Sequence, residues 1–180
     1  VKGIVFVKLN EFVEQTWGLA CWESLLAATD LPSGGIYTSV MTYDDNEIFA
    51  LIDAISKQKS LHPFEAQKTF GQWLFKELYA IAPAGVHQFN DVFGFLRAVQ
   101  DVIHVEVKKL NPDVLLPEFE FLEETDTALT FEYRSPRKMN YFCEGLILGL
   151  AEYVDQTITV THLLCEHKGD KKSVIRVDKC

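Results

Sequence analysis

The pattern of apolar residues changes once along this chain, and the change limits the folds open to it. Up to about residue 110 the apolar positions recur at helical spacing. Beyond Pro112 and Pro117, which bracket a loop, much of the chain alternates apolar and polar residues. Helical spacing buries a stripe of a helix, and alternation buries one face of a strand. Residues 2–17 carry Ile4, Val5, Val7, Leu9, Phe12, Val13 and Trp17 on one wide helical face, which Gly18 interrupts. A second helix is expected over 19–29. A third follows Asp44 or Asp45 as its cap, and a fourth starts at His62-Pro63 and ends at Pro83-Ala84-Gly85. The spacing predicts a fifth helix over 90–99 and favours a sixth over 101–110. Glu118-Phe119-Glu120-Phe121-Leu122 and Ala128-Leu129-Thr130-Phe131-Glu132-Tyr133-Arg134 then read as strands of a hairpin. Residues 139–153 form a very apolar helix. Thr157–His162 and Ser173–Val177 read as two more strands around Lys168-Gly169-Asp170. Helices first and strands afterwards make an α+β domain, with a helical N-terminal lobe and a mixed helix and antiparallel-sheet C-terminal lobe.

The 180 residues suit a single domain spanning 1–180. Apolar content of 48%, with 13 phenylalanines, is enough for a sizeable core and an apolar cavity besides. A formal charge of −9 without a basic stripe argues against nucleic acid or an anionic membrane as a partner. No apolar run reaches the roughly 18 residues of a membrane span, and the N-terminal apolar run is too short for a signal peptide. A cytoplasmic protein is expected. Cys21, Cys143, Cys165 and Cys180 show no framework spacing and read as free thiols.

No glycine-rich phosphate loop, nucleophile elbow, Cys-x-x-Cys or His-Glu-x-x-His occurs, so nothing demands an enzyme. Three other features stand out. His104 sits in the run Asp101-Val102-Ile103-His104-Val105-Glu106-Val107, where spacing alone favours an ordinary core histidine over a ligand. Tyr133, Ser135 and Arg137 occupy alternate positions at a strand end. Alternate strand residues face one side, so a phenol, a hydroxyl and a guanidinium can converge on a carboxylate or phosphate. On the helix that follows, a projection puts Asn140, Glu144 and Ala151 on one side. Phe142, Leu146, Gly149 and Tyr153 fall on the opposite side, which is expected to be buried.

Taken in order, Val1-Lys2-Gly3-Ile4-Val5-Phe6, the His104 run, and Tyr133-x-Ser135-x-Arg137 followed by Cys143-Glu144-Gly145-Leu146 resemble the haem nitric oxide/oxygen binding (H-NOX) family along essentially the whole chain. That family is related to the haem domain of soluble guanylate cyclase. The resemblance implies haem b, iron protoporphyrin IX, buried between the lobes. His104 would be its proximal iron ligand, and Tyr133, Ser135 and Arg137 would hold the propionates. Pro117 would press on the macrocycle. Val5, Leu9, Leu74, Phe142 and Leu146 would form the distal wall. Oxygen-binding members donate hydrogen bonds to bound oxygen from a Tyr, a Trp and an Asn, and the matching positions here are Phe142, Leu9 and Leu74. All three are apolar, so the expectation is a sensor of nitric oxide and carbon monoxide that discriminates against oxygen. Tyr141, one residue from Phe142, would overturn this if it faced the cavity.

The mechanism implied is release of His104 on binding nitric oxide, with movement of its segment sensed by a separate partner. With the chain ending at Cys180, that partner is expected to be a histidine kinase or a cyclic-di-GMP cyclase or phosphodiesterase. Some members of the family hold zinc in the C-terminal lobe. Here His162 and Cys165 remain of that set, with Asn140 and Ser173 at the other two positions, which is too few for a closed site unless His167 or Cys180 joins them. The competing readings are a binding module for an apolar carboxylate such as a lipid, and a haem enzyme, which an apolar distal wall disfavours.

Overall fold

The computed structural model describes every residue except Pro83, Asn111 and Asp113, and of Leu110 the backbone only. The N-terminal lobe contains α1 (Gly3–Trp17), α2 (Leu19–Ala28), α3 (Asp45–Lys59) and α4 (Pro63–Ala80). Each boundary has a local cause. Gly18 turns the chain between α1 and α2 at φ 89°, a backbone region that side chains disfavour. Asp44 caps α3, its Oδ1 accepting from the Asn46 amide at 2.8 Å. Asp45 and Glu47 in the first turn, with Lys57 and Lys59 in the last, suit the helix dipole. Pro63 opens α4, and His62 Nδ1 accepts from the Phe64 amide at 3.2 Å. Pro83, expected to help end that helix, lies outside the described residues. The apolar stripes meet in one buried cluster that includes Phe6, Leu9, Phe12, Ile48, Leu51, Phe70 and Leu74.

The second lobe begins with α5 (Val92–Ala98), a π-helical turn (Val99–Ile103) and α6 (His104–Leu110). Helix is therefore the outcome at 101–110, but it is interrupted: His104 is the residue at which the wide turn tightens again into α-helix. Four strands follow, β1 (Glu118–Glu124), β2 (Ala128–Arg134), β3 (Ile158–Leu164) and β4 (Ser173–Lys179). They form one antiparallel sheet in the order β1-β2-β4-β3. Central β2 is buried along both faces as far as Tyr133, whereas β1 and β3 are edge strands. The fold is α+β, as the change of pattern implied.

Between β2 and β3 runs α7 (Asn140–Tyr153), packed on α4. The two backbones approach closely because Gly145 has no side chain. A Cβ there would stand 2.1 Å from the Lys68 carbonyl oxygen, a distance no real contact tolerates. This packing overturns the projection made for α7. Asn140 and Ala151 are buried, Phe142 and Leu146 are half-buried, and Tyr153 is exposed. A projection assumes one buried face, but α7 has α4 on one side and contacts β3 on another. Leu146 packs against both the N-terminal cluster and a second cluster, which contains Leu129, Phe131, Tyr133 and Ile147. The boundary between the lobes therefore passes along α7. Among the described residues no helix is long and apolar enough to cross a membrane.

Candidate functional site

His104 is half-buried, and its Nδ1 is fully buried with no hydrogen-bond partner among the described residues. Burial, reinforced by the nearby Lys108 charge, pulls its pKa from 6.5 down to about 4. The imidazole is thus neutral at physiological pH and has a nitrogen to offer. A buried polar nitrogen without a partner costs free energy unless something satisfies it. Phe119 of β1 lies edge-on to it, with ring centroids 5.8 Å apart. The same Phe119 ring packs on Phe131 at 5.0 Å and on Tyr133 at 6.1 Å. One aromatic side chain thereby connects His104 to the tyrosine of the second motif. Half-buried Pro117 lies two residues before it, immediately ahead of β1.

The Tyr133, Ser135 and Arg137 side chains come together, although not as strand alternation implied. β2 ends at Arg134, so only Tyr133 is a strand residue. Pro136 has no amide to continue the ladder, and the chain turns, with the Arg137 amide donating to Ser135 Oγ at 3.3 Å. Burial pushes the pKa of the Tyr133 hydroxyl up, outweighing the opposing influence of Ser135 and Arg137, so the phenol remains a proton donor. Arg137 donates from a terminal guanidinium nitrogen to the Leu115 carbonyl at 2.6 Å. Its Nε stands 2.8 Å from Asp45 Oδ2, an ion pair that lacks hydrogen-bond alignment and leaves the buried N–H without an acceptor. Tyr133 and Ser135 also line a pocket of about 470 Å³ open to solvent, shared with Lys108, Leu116 and Lys172. His104 and the apolar wall positions are not part of that lining.

Those wall positions occupy the N-terminal lobe and its boundary. Leu9 and Leu74 are fully buried. Val5, Phe142 and Leu146 are half-buried and pack against the same cluster, Phe142 lying 5.7 Å from Phe70. Tyr141 turns elsewhere. Its ring is stacked between Phe64, at 4.2 Å, and His162, at 4.7 Å, and burial beside Cys165 and Glu144 pushes the pKa of its hydroxyl up. Tyr141 is therefore committed to α4 and the β3 side of α7, while Phe142 packs on Phe70.

The C-terminal Cys and His residues are held by other contacts. His162 Nε2 is 2.8 Å from Glu144 Oε2. Asn140 Nδ2 donates to Ser173 Oγ at 2.6 Å and to Cys165 Sγ at 3.7 Å. His167 bonds to the Lys138 carbonyl, and Cys180 lies beside Thr159. Among the described residues, no group of three or more His, Cys, Asp or Glu side chains is placed to hold a metal ion.

Sequence reading singled out neither Phe119 as a neighbour of His104 nor Asp45 as a partner of Arg137. Phe119 could be read only as an inward strand residue, and Asp45 only as a possible helix cap.

A helical lobe followed by a four-stranded antiparallel lobe is the α+β fold of the H-NOX structures. The chain matches the Haem-NO-binding family over residues 2–162 and belongs to it. An unliganded Fe(II) H-NOX protein from K. algicida superposes with a TM-score of 0.91 at 27% identity, covering all of this chain and 97% of that one. An H-NOX protein from S. oneidensis, solved in the Fe(II)NO state, gives 0.91 at 28% identity, with 100% and 99% covered. The H-NOX from Shewanella woodyi, solved bound to IWP-051 in the Fe(II)CO state, gives 0.84 at 32% identity, with 100% and 95% covered.

Proposed function

We propose that this protein is a haem-based gas sensor that binds nitric oxide and carbon monoxide on ferrous haem b, discriminates against oxygen, and is not itself an enzyme. The observation carrying this reading is His104: a neutral imidazole with a buried, unpartnered nitrogen, in a chain of the Haem-NO-binding family. Its S. oneidensis relative is solved with both Fe(II)NO and Fe(II)CO. When bound, ferrous haem supplies an axial position to which a diatomic gas adds.

The residues fit such a group. His104 would supply a nitrogen to the haem iron. Tyr133, Ser135 and Arg137 offer a protonated phenol, a hydroxyl and a guanidinium, the donors that two carboxylates require. Pro117 stands beside β1 as a rigid contact. Val5, Leu9, Leu74, Phe142 and Leu146 offer no hydrogen-bond donor. Bound oxygen gains from a donor, whereas nitric oxide and carbon monoxide do not need one, so this wall favours the latter two.

The signal is movement of His104 and its helix relative to β1, a two-state element biased by the gas. A separate cytoplasmic signalling protein reads it. The family resemblance suggests a histidine kinase or a cyclic-di-GMP cyclase or phosphodiesterase.

Anaerobic absorption spectroscopy tests this reading. The ferrous protein should show a Soret band that shifts with nitric oxide to a five-coordinate form and stays unchanged when oxygen is admitted. A persistent six-coordinate nitric oxide spectrum would refute release of His104. A colourless protein that ignores added haem and binds a fatty acid would support the lipid-binding alternative instead.

A further inference from the structure

A side chain of the π-helical turn ahead of His104 makes a hydrogen bond to the sheet. Gln100, in that turn, places its Oε1 3.0 Å from the backbone amide of Phe119 and accepts its hydrogen bond. β1 is an edge strand, paired among the described residues with β2 alone. An edge amide ordinarily faces water, and its capture by a side chain from another element fixes the two together. Phe119 is also the residue whose ring meets His104 and Tyr133. Gln100 therefore reaches the backbone of the very residue that His104 leans on.

The turn itself needs such a restraint. Its hydrogen bonds run five residues apart, as in the His104 amide to the Val99 carbonyl. π-helical turns are rare and usually mark functional sites. None of the residues 99–103 is fully buried; Val99 and Ile103 pack in part against the cluster under the sheet, and the Gln100 hydrogen bond adds a polar restraint to that packing.

We infer that Gln100 is a positioning residue for His104. Its hydrogen bond to the Phe119 amide holds the start of α6 against β1, and so sets how readily His104 leaves its axial position. This rests on the reading of His104 as the haem ligand.

The test uses the full haem-loaded chain and two variants. Gln100→Met keeps an unbranched side chain of similar length and removes the acceptor, while Gln100→Glu keeps an acceptor at the same reach. Two quantities are read. One is hydrogen exchange at the Phe119 amide. The other is the rate at which the absorption spectrum passes from six- to five-coordinate after nitric oxide is mixed in. In Gln100→Met both should rise by about fivefold, the size of one net hydrogen bond, with far-UV circular dichroism unchanged. Gln100→Glu should return both toward wild type. If Gln100→Met failed to fold, Phe119 exchange in the wild type would still decide the point, because protection no greater than that of a solvent-facing edge amide overturns the inference. Faster Phe119 exchange with an unchanged spectral rate overturns it too, as does Gln100→Glu behaving like Gln100→Met. Failure of the underlying haem reading shows differently, as wild-type protein that takes up no haem or that keeps its axial ligand after His104→Gly, and it would overturn both.

Discussion

The Arg137 guanidinium and the Asp45 carboxylate face each other at 2.8 Å, across the gap between the turn after β2 and the first turn of α3. Through a second nitrogen Arg137 also holds the Leu115 carbonyl on the approach to β1. A residue that the family resemblance implies for propionate binding thus joins both lobes. Asp45 also accepts from the Val1 ammonium at 2.7 Å.

The pair makes stability depend on pH in a defined direction. Burial pushes the pKa of Asp45 up, but the Val1 ammonium and Arg137 outweigh burial and hold it below 3.8. A carboxylate whose folded pKa is lowered contributes stability above its unfolded value and loses it as pH falls through the folded one. Asp45→Asn should cost about 1 kcal/mol at pH 7, the upper range for a partly exposed pair. Urea midpoints of wild type and variant should converge as pH falls below 3.8. A gap that widened with acid would contradict this account.

Cysteine reactivity should divide cleanly. Cys180 is exposed, while Cys21, Cys143 and Cys165 are buried. Burial, with the Glu144 charge adding, pushes the Cys143 thiol up to about 12, leaving almost no thiolate at neutral pH. A maleimide should modify one thiol promptly and three more only on unfolding, counted by intact mass. Prompt labelling of Cys143 in folded protein would show that α7 is not packed as described.

Gly145→Ala should destabilise the fold without altering any polar group. The added methyl meets the Lys68 carbonyl, a backbone atom that cannot swing aside. Overpacking of this kind costs ~1–3 kcal/mol, readable as a lowered melting temperature. An unchanged melting temperature would mean that α4 and α7 have room to separate.

Phe142→Tyr tests the wall. It places a hydroxyl on an α7 side chain that packs against the apolar cluster, whereas the Tyr141 ring is already stacked between Phe64 and His162. A hydrogen bond to a charged partner contributes ~1.5–3 kcal/mol, so oxygen retention by ferrous protein should rise by about tenfold or more. No gain in oxygen binding would show that Phe142 does not face the gas.

The sequence made the order of the elements legible because most elements bury one side, and a single buried side leaves a period. Where an element is covered on two sides the period misleads. α7 reads as one apolar face, yet Asn140 is fully buried and Tyr153 is exposed, because α4 and the sheet both claim the helix. Convergence of Tyr133, Ser135 and Arg137 was legible, but the route was not. Strand alternation fails at Arg134, and the Pro136 turn does the work instead. The contacts of His104 with Phe119 and of Gln100 with the Phe119 amide are tertiary, joining a helical run to a strand across an intervening loop, and no local pattern marks them.

The most direct measurement is the haem content of purified protein, wild type beside His104→Gly, taken as Soret absorbance per chain after saturation with ferrous haem and gel filtration. Wild type should hold close to one haem per chain and His104→Gly should lose most of it, with circular dichroism unchanged. A His104→Gly protein that kept its haem and its wild-type spectrum would contradict the assignment of His104 as the iron ligand, and with it the account of how this chain signals.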